Sequence, residues 1–337
     1  MGFSSINNER VKLVALVSVI VLFILLILNI LKIDVNISGR IEASSVSFKL
    51  ENGVTSFLSG GVGNRFKEIG ITSFSQGSVY YDSANENEIL RNKSGHLIIK
   101  PDDITSLITF KSISLINLDL NPGSNINMTV AVKEPLKGSL RITNQDRGIV
   151  LAPLKKNINM FISDAILMDG TRKLSTFENK NVDLSVDTNK LIKFLPRNDD
   201  IKIHFAFENK TEYIETDLII VKNLGFIHED EENLIRSSVL GGEIYIEETN
   251  KKLKLIGNRF LQFDKNDVFE ISSLKISDGK IIIQFDGKAK HLLIGSGEDK
   301  YLPSILQYMG TNQFYVTLLN SYLIIITFFI AVTKKEA

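Results

Sequence analysis

The sequence predicts an all-β extracytoplasmic domain, of β-sandwich type in one large or two packed units, flanked by two transmembrane α-helices. Three observations lead there. Charge-free apolar runs, Leu13–Leu31 and Phe314–Val332, stand near the two ends of the chain. Between them apolar and polar residues alternate with a period of two. Turn signals interrupt that alternation repeatedly, and few stretches keep a helical period. Many short strands with frequent turns read as a sandwich or barrel.

The parts follow in order. Residues 1–12 and 333–337 are short cytoplasmic tails, and 13–31 and 314–332 are membrane helices. Residues 33–150 and 151–298 are two β regions, and 299–311 form a juxtamembrane amphipathic helix. Each apolar run approaches the roughly 20 residues a helix needs to cross a bilayer. The first exceeds the roughly 7–15 residues of a cleavable signal core, so an uncleaved anchor is expected. Arg10 and Lys12 before the first run, and Lys334 and Lys335 after the second, place both termini in the cytoplasm. The host reads as bacterial from the abundance of Ile, Asn and Lys, and the location as its inner membrane. The lipid bilayer is then one partner.

Polar residues in these runs are candidates for helix-to-helix contact. Asn320 and Ser321 lie in the second run and Asn29 in the first; a buried amide seeks a partner. The alternative is a bond to a carbonyl of its own helix. Neither run holds an acidic or basic residue, which argues against an ion path through this chain alone.

Cysteine is absent, which removes thiol nucleophiles, disulfides and cysteine-based metal sites. Lys+Arg and Asp+Glu are both 39, so no net field favours nucleic acid. The sequons at Asn36, Asn92, Asn127 and Asn209 are expected by chance in so asparagine-rich a chain.

Alternation is clear at Val35 and Ile37, at Val46, Phe48 and Leu50, and at Met128, Val130 and Val132. It returns at Val182, Leu184 and Val186 and, most plainly, at Ile201, Ile203, Phe205 and Phe207. Turns are expected at Glu51-Asn52-Gly53, Asn121-Pro122-Gly123, Asp169-Gly170, Asp278-Gly279 and Asp286-Gly287. A seam between the two β regions is expected at Gly148–Lys156. Two segments read as helices. Glu229–Ser238 opens with an acidic run suited to a helix N-terminus. Pro303–Met309 carries Leu302, Ile305, Leu306 and Met309 on one side, a face fit for the membrane surface or for plugging the base of the β-domain.

No motif singles out a catalytic, cofactor-binding or metal-ligating residue. The glycine-rich Ser59–Phe66 lacks the ending of a phosphate loop and reads as a strand connection. His96, His204, His228 and His291 share no ligand spacing. Asp264, Asn266 and Asp267 lack the glycine and closing glutamate of a calcium loop and read as a solvated turn. Tyr80 and Tyr81 are the best aromatic candidates for ligand contact. No cofactor is expected.

The functional expectation is a non-enzymatic envelope protein that scaffolds or senses through protein contacts, with a membrane or periplasmic partner or a second copy of itself. The alternatives are a membrane-proximal lipid- or glycan-binding module and an extracytoplasmic hydrolase.

Overall fold

In a computed structural model, the described residues are nearly all β. The structure describes residues 3–54, 57, 66–81, 95–131, 137–169, 171–207, 214–216, 218–229, 235–295, 302–311, 315–317, 320–324 and 327.

The chain opens with helix α1 (Phe3–Ile30) and strands β1 (Val35–Ala43) and β2 (Ser45–Leu50). There follow β3 (Phe66–Thr72), β4 (Phe74–Tyr80), β5 (His96–Pro101) and β6 (Leu107–Leu118). Next come β7 (Asn125–Val130), β8 (Lys137–Thr143), β9 (Ile149–Pro153) and β10 (Asn157–Asp169). The middle continues with β11 (Arg172–Ser185), β12 (Ile192–Pro196), β13 (Asp200–Phe207), β14 (Ile214–Thr216) and β15 (Ile219–Gly225). The last third holds β16 (Ile227–Glu229), β17 (Ile235–Ser237), β18 (Val239–Ile246), a 3-10 turn (Glu247–Thr249) and β19 (Lys251–Ile256). It closes with β20 (Leu261–Phe263), β21 (Val268–Ser277), β22 (Lys280–Ala289), β23 (Leu292–Ile294) and helix α2 (Ile305–Thr311).

The period of two dictates the burial. Ile201, Ile203, Phe205 and Phe207 are all buried, as are Val46, Phe48 and Leu50. Among the described residues their strands join one 21-stranded sheet, and β16 and β17 form a separate hairpin. The sheet closes on itself twice. In the first circuit β3–β4 pairs with β5–β6, β5–β6 with β9–β10, β9–β10 with β11–β12, and β12–β13 with β3–β4. These long strands kink where φ turns positive, at Ser73, Asp164 and Asn198–Asp199. The kinks are stitched together: Asp102 N–H donates to the Asp164 carbonyl at 2.9 Å, and Arg197 N–H to that of Ser73 at 3.0 Å. In the second circuit β1–β2 pairs with β22 and β15, and β21 bridges those two. Strands β7 and β8 join the circuits, β7 on β2 and β8 on β13. The segment Gly148–Lys156, expected as a seam, contains β9, which is paired on both edges.

Four cross-strand pairs place phenylalanine opposite glycine: Gly39 with Phe285, Gly77 with Phe194, Gly138 with Phe205 and Gly287 with Phe269. At each, a Cβ on the glycine would stand 2.4–2.6 Å from a ring carbon. The rings occupy the space a side chain would take, and any larger residue would push them off.

Several expectations are corrected. Among the described residues no helix is long and apolar enough to cross a membrane. Helix α1 has 28 residues, but its first turns carry Asn7, Asn8, Glu9, Arg10 and Lys12. The second run is described only at residues 315–317, 320–324 and 327. The two transmembrane helices, and with them a two-span protein of a bacterial inner membrane with both ends in the cytoplasm, are therefore set aside. Glu229–Ser238 is not a helix: Ile227 pairs with Ser237 and Glu229 with Ile235 across a hairpin whose acidic loop lies outside the described residues. Asp286-Gly287 is no turn but lies inside β22, where Gly287 accommodates Phe269. The turn at Asp278-Gly279 forms, with φ of 51° and 74°. The glycine-rich Ser59–Arg65 lies outside the described residues.

Candidate functional site

The most site-like feature is a groove of about 390 Å³ on the outer face of the second circuit. Alternation builds it. Ile37 and Ile41 of β1, Ile244 and Ile246 of β18, and Ile283 and Phe285 of β22 point inward and are buried. The residues between them must point outward. Ser38 stands between Tyr245 and Asp286, and Arg40 between Glu243 and Gln284. Gly39 lies under the centre, where the Phe285 ring fills the space its side chain would take. Strand β21 contributes Ser272 at a bulge between Ile271 and Ser273, a device that redirects side chains toward sites.

The groove's side chains fall into two sets. The first is already paired. Lys252 Nζ lies 2.6 Å from Glu243 Oε2, and the Tyr245 hydroxyl donates to Asn250 Oδ1 at 2.6 Å. These contacts hold one wall and fix the Tyr245 ring, which is 37% exposed. The second set is uncommitted. Among the described residues the side chains of Arg40, Gln284 and Asp286 make no hydrogen bond or ion pair. A guanidinium with five donors, an amide and a carboxylate therefore converge on one shallow space with their capacity unused.

Two carboxylates, Glu243 and Asp286, stand on strands separated only by β1 and are offset by two residues along it, so about 12 Å apart at the backbone. Both side chains are exposed, and Glu243 is held by Lys252. Carboxylates that act as general acids sit instead in apolar surroundings.

The residues singled out from sequence lie elsewhere. Tyr80 is half-buried and stacks on His96, with ring centroids 4.5 Å apart and planes at 13°. Lys190 Nζ lies 4.6 Å from the Tyr80 centroid, and Ser78 Oγ is 2.7 Å from His96 Nε2. Tyr81 is 4% exposed and its hydroxyl has no partner among the described residues. Burial, and after it the charge of Asp169, raise the Tyr81 phenol above its ordinary range. Asn29 meets neither Asn320 nor Ser321: its Oδ1 accepts from Ser304 Oγ at 3.4 Å. Ser321 Oγ donates to the Thr317 carbonyl at 2.9 Å, and Asn320 is exposed. Leu302 belongs to the core, while Ile305, Leu306 and Met309 are half-buried on α2. That helix begins at Ser304, whose hydroxyl accepts the Gln307 N–H at 3.2 Å, and it is tied to α1 where the Ile305 N–H meets the Leu31 carbonyl.

Asp267 is not the solvated residue its sequence suggests. It is 2% exposed, and its carboxylate accepts the N–H groups of Asp264 and Lys290. Burial raises its affinity for a proton, and those N–H groups oppose the rise. Sequence reasoning missed the groove altogether. Its three central strands come from residues 35–43, 239–246 and 280–289, and no local spacing joins them. The one signal was Arg40, a lone cation on the outward phase of an apolar strand.

No family model matches the chain. No curated protein matches it either. Among solved structures, Scytalido-glutamic peptidase with a peptide-based transition state analog shares 9% identity at a TM-score of 0.14, over 74% of this chain and 97% of that one. SCP-B, a member of the Eqolisin family of peptidases in complex with the tripeptide Ala-Ile-His, shares 10% identity at a TM-score of 0.12, over 74% and 82%. Likeness at that level carries no argument about this chain.

Proposed function

We propose that this protein acts by binding, and that its β-body recognises a polar ligand in the groove over β1, β18 and β22. One observation carries the reading: Arg40, Gln284 and Asp286 are gathered there with no partners of their own among the described residues. Sites for small ligands place a few convergent polar groups on a rigid frame. Here the frame is a sheet whose central strand is paired on both edges. The exposed setting of Glu243 and Asp286 favours recognition over hydrolysis.

The test is a thermal-shift screen of the full chain against saccharides, short peptides and small organic acids, with an Arg40→Gln/Asp286→Asn variant alongside. The expected result is a ligand that raises the Tm of the parent and not of the variant. A screen without such a ligand, or a ligand indifferent to the double substitution, removes the reading.

A second reading, a scaffold working through protein contacts, has its own support. Helix α1 leaves Leu22, Phe23, Ile24 and Leu26 each 49–66% exposed, and side chains of that kind favour an apolar cover. Photo-crosslinking from position 23 in cells tests it. A stoichiometric protein adduct supports the scaffold, and its absence counts against it.

A further inference from the structure

We infer that the groove is built for a saccharide unit that carries a carboxylate. The inference rests on the binding reading above and names the ligand class.

The floor decides between broad classes. Strand β1 pairs with β18 on one edge and β22 on the other through the whole stretch Ile37–Ile41. Its backbone N–H and C=O groups are therefore satisfied, and an extended peptide cannot add to it as a strand. Recognition must come from side chains, which suits a ligand whose polar groups point outward all round, as the hydroxyls of a sugar ring do.

The lining then narrows the class. Among the described residues Arg40 is the lining cation without a counter-ion, since Lys252 is neutralised by Glu243. A guanidinium offers parallel N–H groups that match a carboxylate in bidentate fashion. Asp286, one strand away and two residues along, repels a multiply charged group such as a phosphomonoester and accepts from hydroxyls. Gln284 lies directly across β1–β22 from Arg40 and can both donate and accept. Tyr245, opposite Ser38, is held by Asn250. Its fixed ring gives the apolar C–H face of a sugar a surface to rest on without further ordering. Ser38, small and on the outward phase, keeps the centre low enough for a ring to lie across it.

The probes are digalacturonic acid and its uncharged counterpart galactobiose, titrated into the full chain by calorimetry and by saturation-transfer NMR. The acid is expected to bind at least tenfold more tightly than the neutral sugar. Arg40→Gln should abolish that preference, whereas Arg40→Lys should keep part of it, and Tyr245→Ala should weaken both sugars alike. Parent-like melting of each variant shows that the fold is intact. Equal binding of the two sugars, lost together in Asp286→Asn, overturns the carboxylate inference and leaves the binding reading standing. The same holds if only peptides bind and the groove variants abolish it. If no saccharide, peptide or acid binds in a variant-sensitive way, both fall.

Discussion

Gln145 is fully buried, and every polar position of its amide is used. Its oxygen accepts from the Asn121 N–H at 3.0 Å and from Ser124 Oγ at 3.2 Å, and its nitrogen donates to the carbonyls of Asp119 and Arg147 at 2.6 and 2.9 Å. One side chain thus ties the Asn121-Pro122-Gly123 turn to the turn after β8. Gln145→Leu keeps the bulk but orphans those groups, and is expected to cost about 2–4 kcal/mol, measured by urea unfolding. A loss below about 0.5 kcal/mol would show the amide to be replaceable. His204, half-buried on β13, is a second case. Burial, and then the neighbouring Lys202, hold its imidazole below the usual value near 6.5. The unfolded chain takes up the proton first as pH falls. The stability His204 supplies is therefore present above about pH 6.5 and lost as pH drops through its folded value. His204→Gln should flatten the pH dependence of the urea midpoint between about pH 7 and 5; an unchanged slope would assign that dependence elsewhere. Neither role was legible from sequence. A glutamine in a turn and a histidine on an alternating strand look alike whether buried or not, because burial is decided by strands that arrive from far away.

At the scale of the element, strand phase was legible and strand ends were not. The run from Ile201 to Phe207 announced β13 because apolar residues on every second position leave only one face to bury. Asp286-Gly287 announced a turn and gave none, since the glycine serves Phe269 of the neighbouring strand. Glu229–Ser238 read as a helix from its charges, yet pairing across the hairpin prevailed. The glycine–phenylalanine pairs are therefore elements of register: each fixes which residue stands opposite which. Gly39→Ala is expected to destabilise by about 1–3 kcal/mol through overpacking, and Phe285→Ala by about 3–5 kcal/mol through the cavity. The pair Gly39→Ala/Phe285→Leu should cost less than the sum of its single changes in a double-mutant cycle. Strict additivity would mean that the ring does not depend on the glycine.

At the scale of the molecule, the ends of the chain are woven together. Strand β1 lies between β18 and β22, with Val35 opposite Ala289 and Ala43 opposite Ile281. A chain that begins at Ser45 loses the strand closing the second circuit and should lose its cooperative melting transition by circular dichroism, not merely fray. Retention of the parent Tm would show that the circuit closes without β1. The all-β character was readable because it rests on local alternation. The closure was not, since nothing in residues 35–43 names the partners that follow some two hundred residues later.

That placement of β1 sets a timetable for synthesis. The strand leaves the ribosome early, while β22 appears only after Ala289 has been made. At roughly 5–20 residues per second, translation of the interval takes about 10–50 s. Until β18 has been made both edges of β1 are open, and the second edge stays open until β22 follows. A nascent chain so arranged invites a chaperone at its N-terminal segment, and its passage into the native state waits on its last strands.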